Sequence, residues 1–455
     1  MRTRHVLIAG LVAWVAGAVI LWLGAAPLGH DEAQYAIAAN DVIVGNPARW
    51  FYLSKGMNAV ALPGALAGGG ERALRFVPLL FGIGCVLAAA HLAWRTVGAT
   101  AAAWSVCVLA ATRALAVQSC DLLSDLPATM FLLLGTTLLV TELVREDGPR
   151  WRVVTAAPLF AAAFYLRYGS CVPIAVVGVV VVAAGLRAVM RRPGPMVATA
   201  VVFAALLVPH VVAAQGAIGS PLGILLESRA VTQEFVGQGL VGYVTANPFV
   251  FYGLITPAVM IVGLLSLRRG ADRRAVMLWL VAVLSIIAIG LTTHARARYI
   301  FFPITLLVIL GISELECRIR ALAPRARRIA VALAAVVLVV TWSLLARSLA
   351  GSSDHRRRSV ATTLAAARAI RLDAAGIHCR VMGAHNTQLE HYTGCWGNLE
   401  AELPATITAD ARIYLVDDRA KHWSAQWRPD LAAMPGRPRP ILELPDVTVY
   451  VLDPR

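Results

Sequence analysis

Charged side chains are scarce in this sequence, so those that flank its apolar runs are the first candidates for chemistry. Asp31 and Glu32 directly follow the first run. A carboxylate there can take a proton from an acceptor hydroxyl, or it can cap the helix that starts at Glu32, with Gln34 at the capping-box position three residues after Asp31. Both readings stay open for Asp31, and Glu32 also reads as a first-turn acid that suits the helix dipole. Asp121 and Asp125 stand in Cys120-Asp121-Leu122-Leu123-Ser124-Asp125-Leu126-Pro127. Pro127 fits a first helical turn, which makes Ser124 or Asp125 a cap, yet an acid entering a membrane helix is costly unless it faces a partner or a polar cavity. The cations are Lys55, one of only two lysines, then Arg167, and Arg296 and Arg298 in Thr293-His294-Ala295-Arg296-Ala297-Arg298-Tyr299. Singly, each reads equally as a snorkelling side chain. Together, cations and carboxylates on one side of a membrane suit a departing phosphate beside a general base. Asp121, Tyr35, Tyr299 and Arg113, the last inside an apolar run where it pairs with an acid or lines the same cavity, are secondary candidates.

Other chemistries find little support. There is no Walker loop, dinucleotide fingerprint, zinc knuckle or nucleophile elbow. His30, His91, His210 and His294 lack metal-ligand spacing, and His385 and His391, six apart, read as surface histidines. No cofactor is assigned; a divalent metal near Asp31 and Asp125 suits the acids but has no ligand spacing behind it. Cys85, Cys107, Cys120, Cys171 and Cys317 read as packing residues. Cys379 and Cys395 flank a short polar segment near the end, and in an extracytoplasmic domain they are expected to form a disulfide contributing about 3 kcal/mol.

The elements that hold these residues must be membrane helices. The chain has 455 residues, 58% of them hydrophobic and 15% charged, and breaks into apolar runs of about 20 residues, the length that crosses a bilayer core. Runs near 6–28, 74–95, 99–118, 123–144, 153–167, 171–190, 195–214, 248–267, 275–293, 299–316 and 329–350 are read as about eleven transmembrane helices. The apolar stretch of the first is too long for a cleaved signal peptide. The net charge of +15 does not point to nucleic acid, because the Arg residues cluster between runs. Arg2 and Arg4, then the clusters at 145–152, 191–192, 268–274 and 318–328, place the N-terminus in the cytoplasm and the C-terminus outside; Arg356 to Arg358 are the exception.

Two outside loops are long. In 29–73, Tyr35, Ala38, Ala39, Val42 and Ile43 recur at helical spacing ahead of Trp50, Phe51 and Tyr52, a pattern expected of helices lying in the membrane interface with an aromatic anchor. In 215–247, polar and glycine residues surround Glu227, Arg229 and Glu234. After Ala350 the composition turns to that of a small α/β domain: a helix over 361–372 and strands over 378–382, 411–416 and 447–452.

On four landmarks the chain resembles the GT-C superfamily of glycosyltransferases, in the glycosyltransferase family 39-like branch of protein O-mannosyltransferases and lipid A aminoarabinose transferases. They are His30-Asp31-Glu32-Ala33-Gln34-Tyr35-Ala36, Ser124-Asp125-Leu126-Pro127, Phe164-Tyr165-Leu166-Arg167-Tyr168-Gly169 and Arg298-Tyr299-Ile300-Phe301-Phe302-Pro303. The resemblance covers most of residues 1–316. It implies a GT-C-like transmembrane domain over 1–350 and an extracytoplasmic α/β domain over 351–455, in a bacterial inner membrane. It further implies transfer of a sugar from a polyprenyl-phosphate carrier to an extracytoplasmic lipid, glycan or protein. Asp31 would be the base, with Glu32 beside it; Asp125 would be the second acid, and Lys55, Arg167 and Arg298 would hold the carrier phosphate. The chain departs from the pattern at Lys55-Gly56-Met57, where the family often has Lys-Pro-Pro, and at Arg167, where it often has Lys. Two rival functions share these features: a flippase of lipid-linked sugars, which should show broken helices or paired halves, and a non-catalytic membrane scaffold.

Overall fold

The computed structural model describes residues 3–45, 53–223, 237–245, 252–269, 272–292, 295–383, 386–397, 411–418 and 438–452. Trp50, Phe51, Tyr52, Glu227, Arg229, Glu234, His294 and His385 lie outside the described residues. In chain order the helices are α1 (Thr3–Gly24), α2 (His30–Ile43), α3 (Lys55–Leu66), α4 (Glu71–Thr96), α5 (Ala99–Ala110), α6 (Arg113–Val117), α7 (Asp125–Leu143), α8 (Ala156–Leu166), α9 (Cys171–Arg191), α10 (Gly194–Ile218) and α11 (Gln238–Thr245). They continue with α12 (Ile255–Leu265), α13 (Arg273–Thr292), α14 (Phe301–Arg320), α15 (Pro324–Ser359), α16 (Ala361–Ala374) and α17 (Asn386–Thr393). The strands are β1 (Cys379–Gly383), β2 (Trp396–Gly397), β3 (Arg412–Asp418), β4 (Arg439–Glu443) and β5 (Val447–Leu452).

Among the described residues, eight helices are long and apolar enough to cross a membrane, and three further apolar segments, Ala99–Ala110, Trp151–Leu166 and Ile255–Leu265, are shorter. The chain is thus a helical, multi-pass membrane protein with a small sheet domain. The short segments modify three of the expected spans. The run over 99–118 breaks after Ala110, because Thr112 leaves helical geometry and its hydroxyl bonds Val108 O at 2.9 Å and Thr256 Oγ1 of α12 at 2.8 Å. Twelve residues of α5 rise only about 18 Å, short of a hydrocarbon core of about 30 Å. A helix packed in protein need not span: Val106 to Ala110 are all buried. Arg113 consequently opens the separate helix α6 with an exposed side chain, instead of lying inside a span.

Contacts divide the chain into two units. The first comprises Met1–Leu23, Trp50–Val60 and Arg75–Ala350. At its centre is α14, buried from Phe301 through Ile312 and packed on α5, α12 and α13. Two glycines let α12 and α14 meet backbone to backbone, since a Cβ on Gly263 would lie 2.3 Å from Leu307 O and one on Gly311 only 2.1 Å from Val259 O. Small residues at such crossings are how membrane helices gain close van der Waals contact.

The second unit comprises Gly24–Arg49, Ala61–Leu74 and Gly351–Arg455. Its sheet runs β2-β1-β3-β5-β4, with β1 parallel to β2 and β3 and the remaining pairs antiparallel. Alternate residues Val447, Val449 and Val451 share one core with Ala366, Ala367 and Ile370 of α16 and Leu389 of α17, matching the two-residue period of a strand to a helical stripe. Cys379 and Cys395 are joined by a disulfide. The helix over 361–372 and the three strands expected from sequence are present; α17, β2 and β4 are additional.

Helix α2 differs from expectation in what covers it. Tyr35, Ala38 and Ala39 are buried within the protein, where α17 packs on α2, instead of facing the membrane interface; Val42 and Ile43 are exposed. Gly311→Val should wedge α12 from α14: purified protein is expected to lose monodispersity in detergent and to unfold at a clearly lower temperature, whereas Gly351→Val, at a glycine with open space around it, should behave as wild type.

Candidate active site

In the first unit the charged residues gather around Asp125. Ser124 holds the N-cap position but makes no side-chain cap bond, and Asp125 lies within the helix, so neither acts as the expected cap. The Asp125 side chain is 4% exposed; its Oδ1 lies 2.8 Å from Arg167 Nη1 and its Oδ2 3.7 Å from Arg298 Nε. Arg167 sits in extended backbone between α8 and the short 3-10 turn Tyr168–Ser170, a break that directs it off the helix. Arg298 lies in a similar turn, Ala297–Ile300, ahead of α14. Both guanidiniums stack on the Tyr299 ring, at 4.5 and 5.5 Å from its centroid, an attraction of about 0.5–2 kcal/mol each. The carboxylate and the two guanidiniums thus form one polar cluster at the head of α7.

Lys55 belongs to the same region. Its backbone N–H donates to Tyr168 Oη at 3.3 Å, Ser54 Oγ accepts from Tyr168 N–H at 3.3 Å, and a Cβ on Gly56 would lie 2.8 Å from the Tyr165 backbone. The glycine after Lys55 therefore permits the first turn of α3 to lie against the end of α8. Burial pushes the Lys55 ammonium below its ordinary value. Arg296 is exposed and makes no ion pair with Asp125; its carbonyl accepts from Tyr243 Oη at 3.4 Å, and Ala297 O accepts from Tyr252 Oη at 3.4 Å. These two tyrosines, which hold the turn that carries Arg298, gave no sign in the sequence.

Asp121 does not join Asp125. It pairs with Arg75 at 3.8 Å, both side chains being under 10% exposed, an interior ion pair that suits structure. At the other end of α7, Glu142 is fully buried and bonded by Arg152 and by the Arg150 N–H, so part of one basic cluster has a packing role too.

Asp31 and Glu32 lie in the second unit. Helix α2 starts at His30, two residues earlier than expected, with Gly29 at the N-cap and Glu32 at N3, whose Oε2 accepts from Gly29 N–H at 2.8 Å. The box residue is thus Glu32, not Gln34. Glu32 is 2% exposed and also accepts from Arg356 Nη1 at 3.1 Å, which absorbs the arginine that was out of place by the topology rule. Asp31 is one residue inside the helix, not its cap, and half-buried. Tyr35 is buried one turn further on.

His391, expected at the surface, is half-buried, and His30 is exposed overall with its ring bonded to α17. His30 Nδ1 shares a hydrogen with Thr387 Oγ1 at 2.8 Å, and burial lowers its pKa against the opposing pull of Asp31. The His391 pKa is lowered by burial, opposed by Glu71 and Glu32, and its Nδ1 has no hydrogen-bond partner among the described residues. His210 lies among Phe164, Tyr165 and Tyr168, with centroids 4.7–6.3 Å away. No group of three or more His, Cys, Asp or Glu among the described residues is gathered as metal ligands.

Residues 59–212 match the model of the dolichyl-phosphate-mannose-protein mannosyltransferase family. Among solved structures, ArnT of Cupriavidus metallidurans bound to undecaprenyl phosphate aligns over 97% of both chains with a TM-score of 0.72 at 15% identity. AglB, the oligosaccharyltransferase of Archaeoglobus fulgidus, in complex with an inhibitory peptide and a dolichol-phosphate, aligns over 93% of this chain and 71% of its own with a TM-score of 0.61 at 12% identity. No curated protein matches the chain by sequence. At these identities the structural likeness is one of fold. Fold and family match together sustain the resemblance to the GT-C superfamily.

Asp125→Asn should leave two guanidiniums without their carboxylate. With the arginines 23% and 24% exposed, solvent screening reduces the cost of a broken buried pair to about 1–3 kcal/mol, read as a lower thermal midpoint. The histidines give a second expectation. A depressed folded-state pKa means that the unfolded chain binds the proton better, so stability is intact above the unfolded value of about 6.5 and falls as the pH drops below it. Thermal midpoints measured between pH 8 and pH 5 should decline in that window, and less steeply in His391→Gln.

Proposed function

We propose that this chain is an inner-membrane glycosyltransferase that takes a sugar from a polyprenyl-phosphate carrier and passes it to an extracytoplasmic lipid, glycan or protein. The observation that carries the reading is the Asp125 cluster, where two guanidiniums stacked on one tyrosine ring gather beside a buried carboxylate, donors of the kind that bind phosphate. Supporting it, the solved ArnT binds undecaprenyl phosphate and AglB a dolichol-phosphate. In this reading residues 1–350 are the transmembrane transferase domain, with the N-terminus in the cytoplasm, and residues 351–455 are an extracytoplasmic domain.

Asp31 is the base. It takes the proton of the acceptor hydroxyl as that oxygen bonds to the anomeric carbon; the carbon–oxygen bond to the carrier phosphate breaks, and its electron pair leaves on the phosphate. Arg167, Arg298 and Lys55 offset the charge that builds there, an electrostatic contribution of several kcal/mol. Asp125 holds the two arginines apart and aimed. Arg296, exposed beside them, is a further phosphate contact. Displacement occurs in one step with inversion, since the reading has one base and no covalent nucleophile; a trapped glycosyl-enzyme would contradict it.

The test is reconstitution in liposomes with a panel of radiolabelled undecaprenyl-phosphate sugars and envelope lipid, glycan and protein acceptors. Transfer of label to an acceptor is expected. Movement of the carrier across the bilayer without transfer would identify a flippase, and neither would identify a scaffold. Asp31→Asn should lower transfer by about 10²- to 10⁴-fold with the fold intact, and undiminished turnover would remove Asp31 as the base.

A further inference from the structure

In the second unit, the short stretch that carries Asp31 is tied at Gly24, Leu28, His30 and Glu32 to the C-terminal part of the chain. Leu28 is fully buried, and side chains of α17 satisfy both of its backbone polar groups: Gln388 Nε2 donates to Leu28 O at 2.8 Å, and Leu28 N–H donates to Tyr392 Oη at 2.8 Å. Gln388 and Tyr392 are four residues apart, so one helical face presents both. Tyr392 Oη in turn donates to Glu71 Oε1 at 3.2 Å, Thr387 holds His30, and Arg356 holds Glu32 at 3.1 Å while Arg357 Nη2 donates to Gly24 O at 2.6 Å. Thr387 and Gln388 are 2% and 3% exposed, so these are interior bonds and not incidental surface contacts.

Helix α17 has eight residues, too few to persist in isolation. It is held at both ends. It follows β1 closely, and the Cys379–Cys395 disulfide closes the chain across it, with Cys395 N–H donating to Thr393 Oγ1 at 3.0 Å just after its last turn. Polar side chains that match both the N–H and the C=O of a buried residue fix the two peptide planes that meet there, which packing alone does not.

We infer that Gln388 and Tyr392, with Thr387, are positioning residues: the C-terminal domain sets the backbone of residues 28–30, and through it the place of the Asp31 carboxylate in the first turn of α2. The inference rests on the proposed role of Asp31. Misplacing a reacting group by about 1 Å can cost about 10²-fold in rate, so loosening this clasp should act on turnover and spare donor binding, which falls to the cations of the first unit.

Gln388→Met keeps the volume and removes the amide donor; Tyr392→Phe keeps the ring and removes both hydroxyl bonds. In each, hydrogen–deuterium exchange at the amides of residues 28–33 should speed up. In the liposome assay kcat should fall about 10- to 100-fold with donor KM unchanged, and the same substitutions in the Asp31→Asn background should cause no further fall. Unchanged exchange and unchanged kcat in both variants would overturn the inference, as would raised KM with kcat retained, or equal losses in the presence and absence of the Asp31 carboxylate. Wild-type turnover in Asp31→Asn alone would overturn it together with the base assignment, a failure told apart from the others by which variant keeps its activity.

Discussion

One carboxylate buried at the head of a membrane helix constrains much of the first unit. A buried acid at that place is tolerated because guanidiniums lie close to it. Each arginine reaches it only because its helix is interrupted. Arg167 follows the end of α8 in extended backbone, and Arg298 sits in the turn ahead of α14. Those interruptions need outside support, which comes from Ser54 and Tyr168 on one side and from Tyr243 and Tyr252 on the other. The buried stretch Phe301 to Ile312 of α14 then fixes the height of Arg298 against α12 and α13.

The second unit solves a different problem, that of holding a polar helix start in place. Glu32 returns to the Gly29 N–H and meets Arg356, while Gln388 and Tyr392 satisfy the Leu28 peptide groups. The effect is to divide labour between neighbouring acids. Glu32 is committed to structure by burial and by two charge-assisted bonds, and Asp31, next to it, is not the cap. The disulfide matters here because the helix that provides the clasp is only two turns long.

Much of this was legible in the sequence because membrane helices announce themselves by length and apolarity, and Asp125, Arg167 and Arg298 stood out as charges at the ends of such runs. What was lost depended on partners distant in the chain. Thr112 ends α5 by bonding Thr256, 144 residues away, and nothing in the run over 99–118 reveals that. Asp121, a secondary candidate by sequence, is paired instead with Arg75. The cap of α2 lies two residues before Asp31, although Asp is the better N-cap by local rules, and the early turn is held by Arg356 on Glu32 and Thr387 on His30, both distant in the chain. Helix α17 was missed because its amphipathic pattern is short and polar: Thr387 and Gln388 meet protein through hydrogen bonds, which leave no apolar stripe to read.

In the proposed function Arg167 and Arg298, gathered at Asp125, hold a lipid-linked phosphate. Native mass spectrometry of the protein titrated with undecaprenyl phosphate tests it most directly. The account predicts one tightly held lipid per chain in wild type, weakened by rising salt and lost when Arg167 and Arg298 are both replaced by Ala. Equal occupancy in the wild type and the double variant, or binding of undecaprenol lacking the phosphate to the same extent, would contradict it.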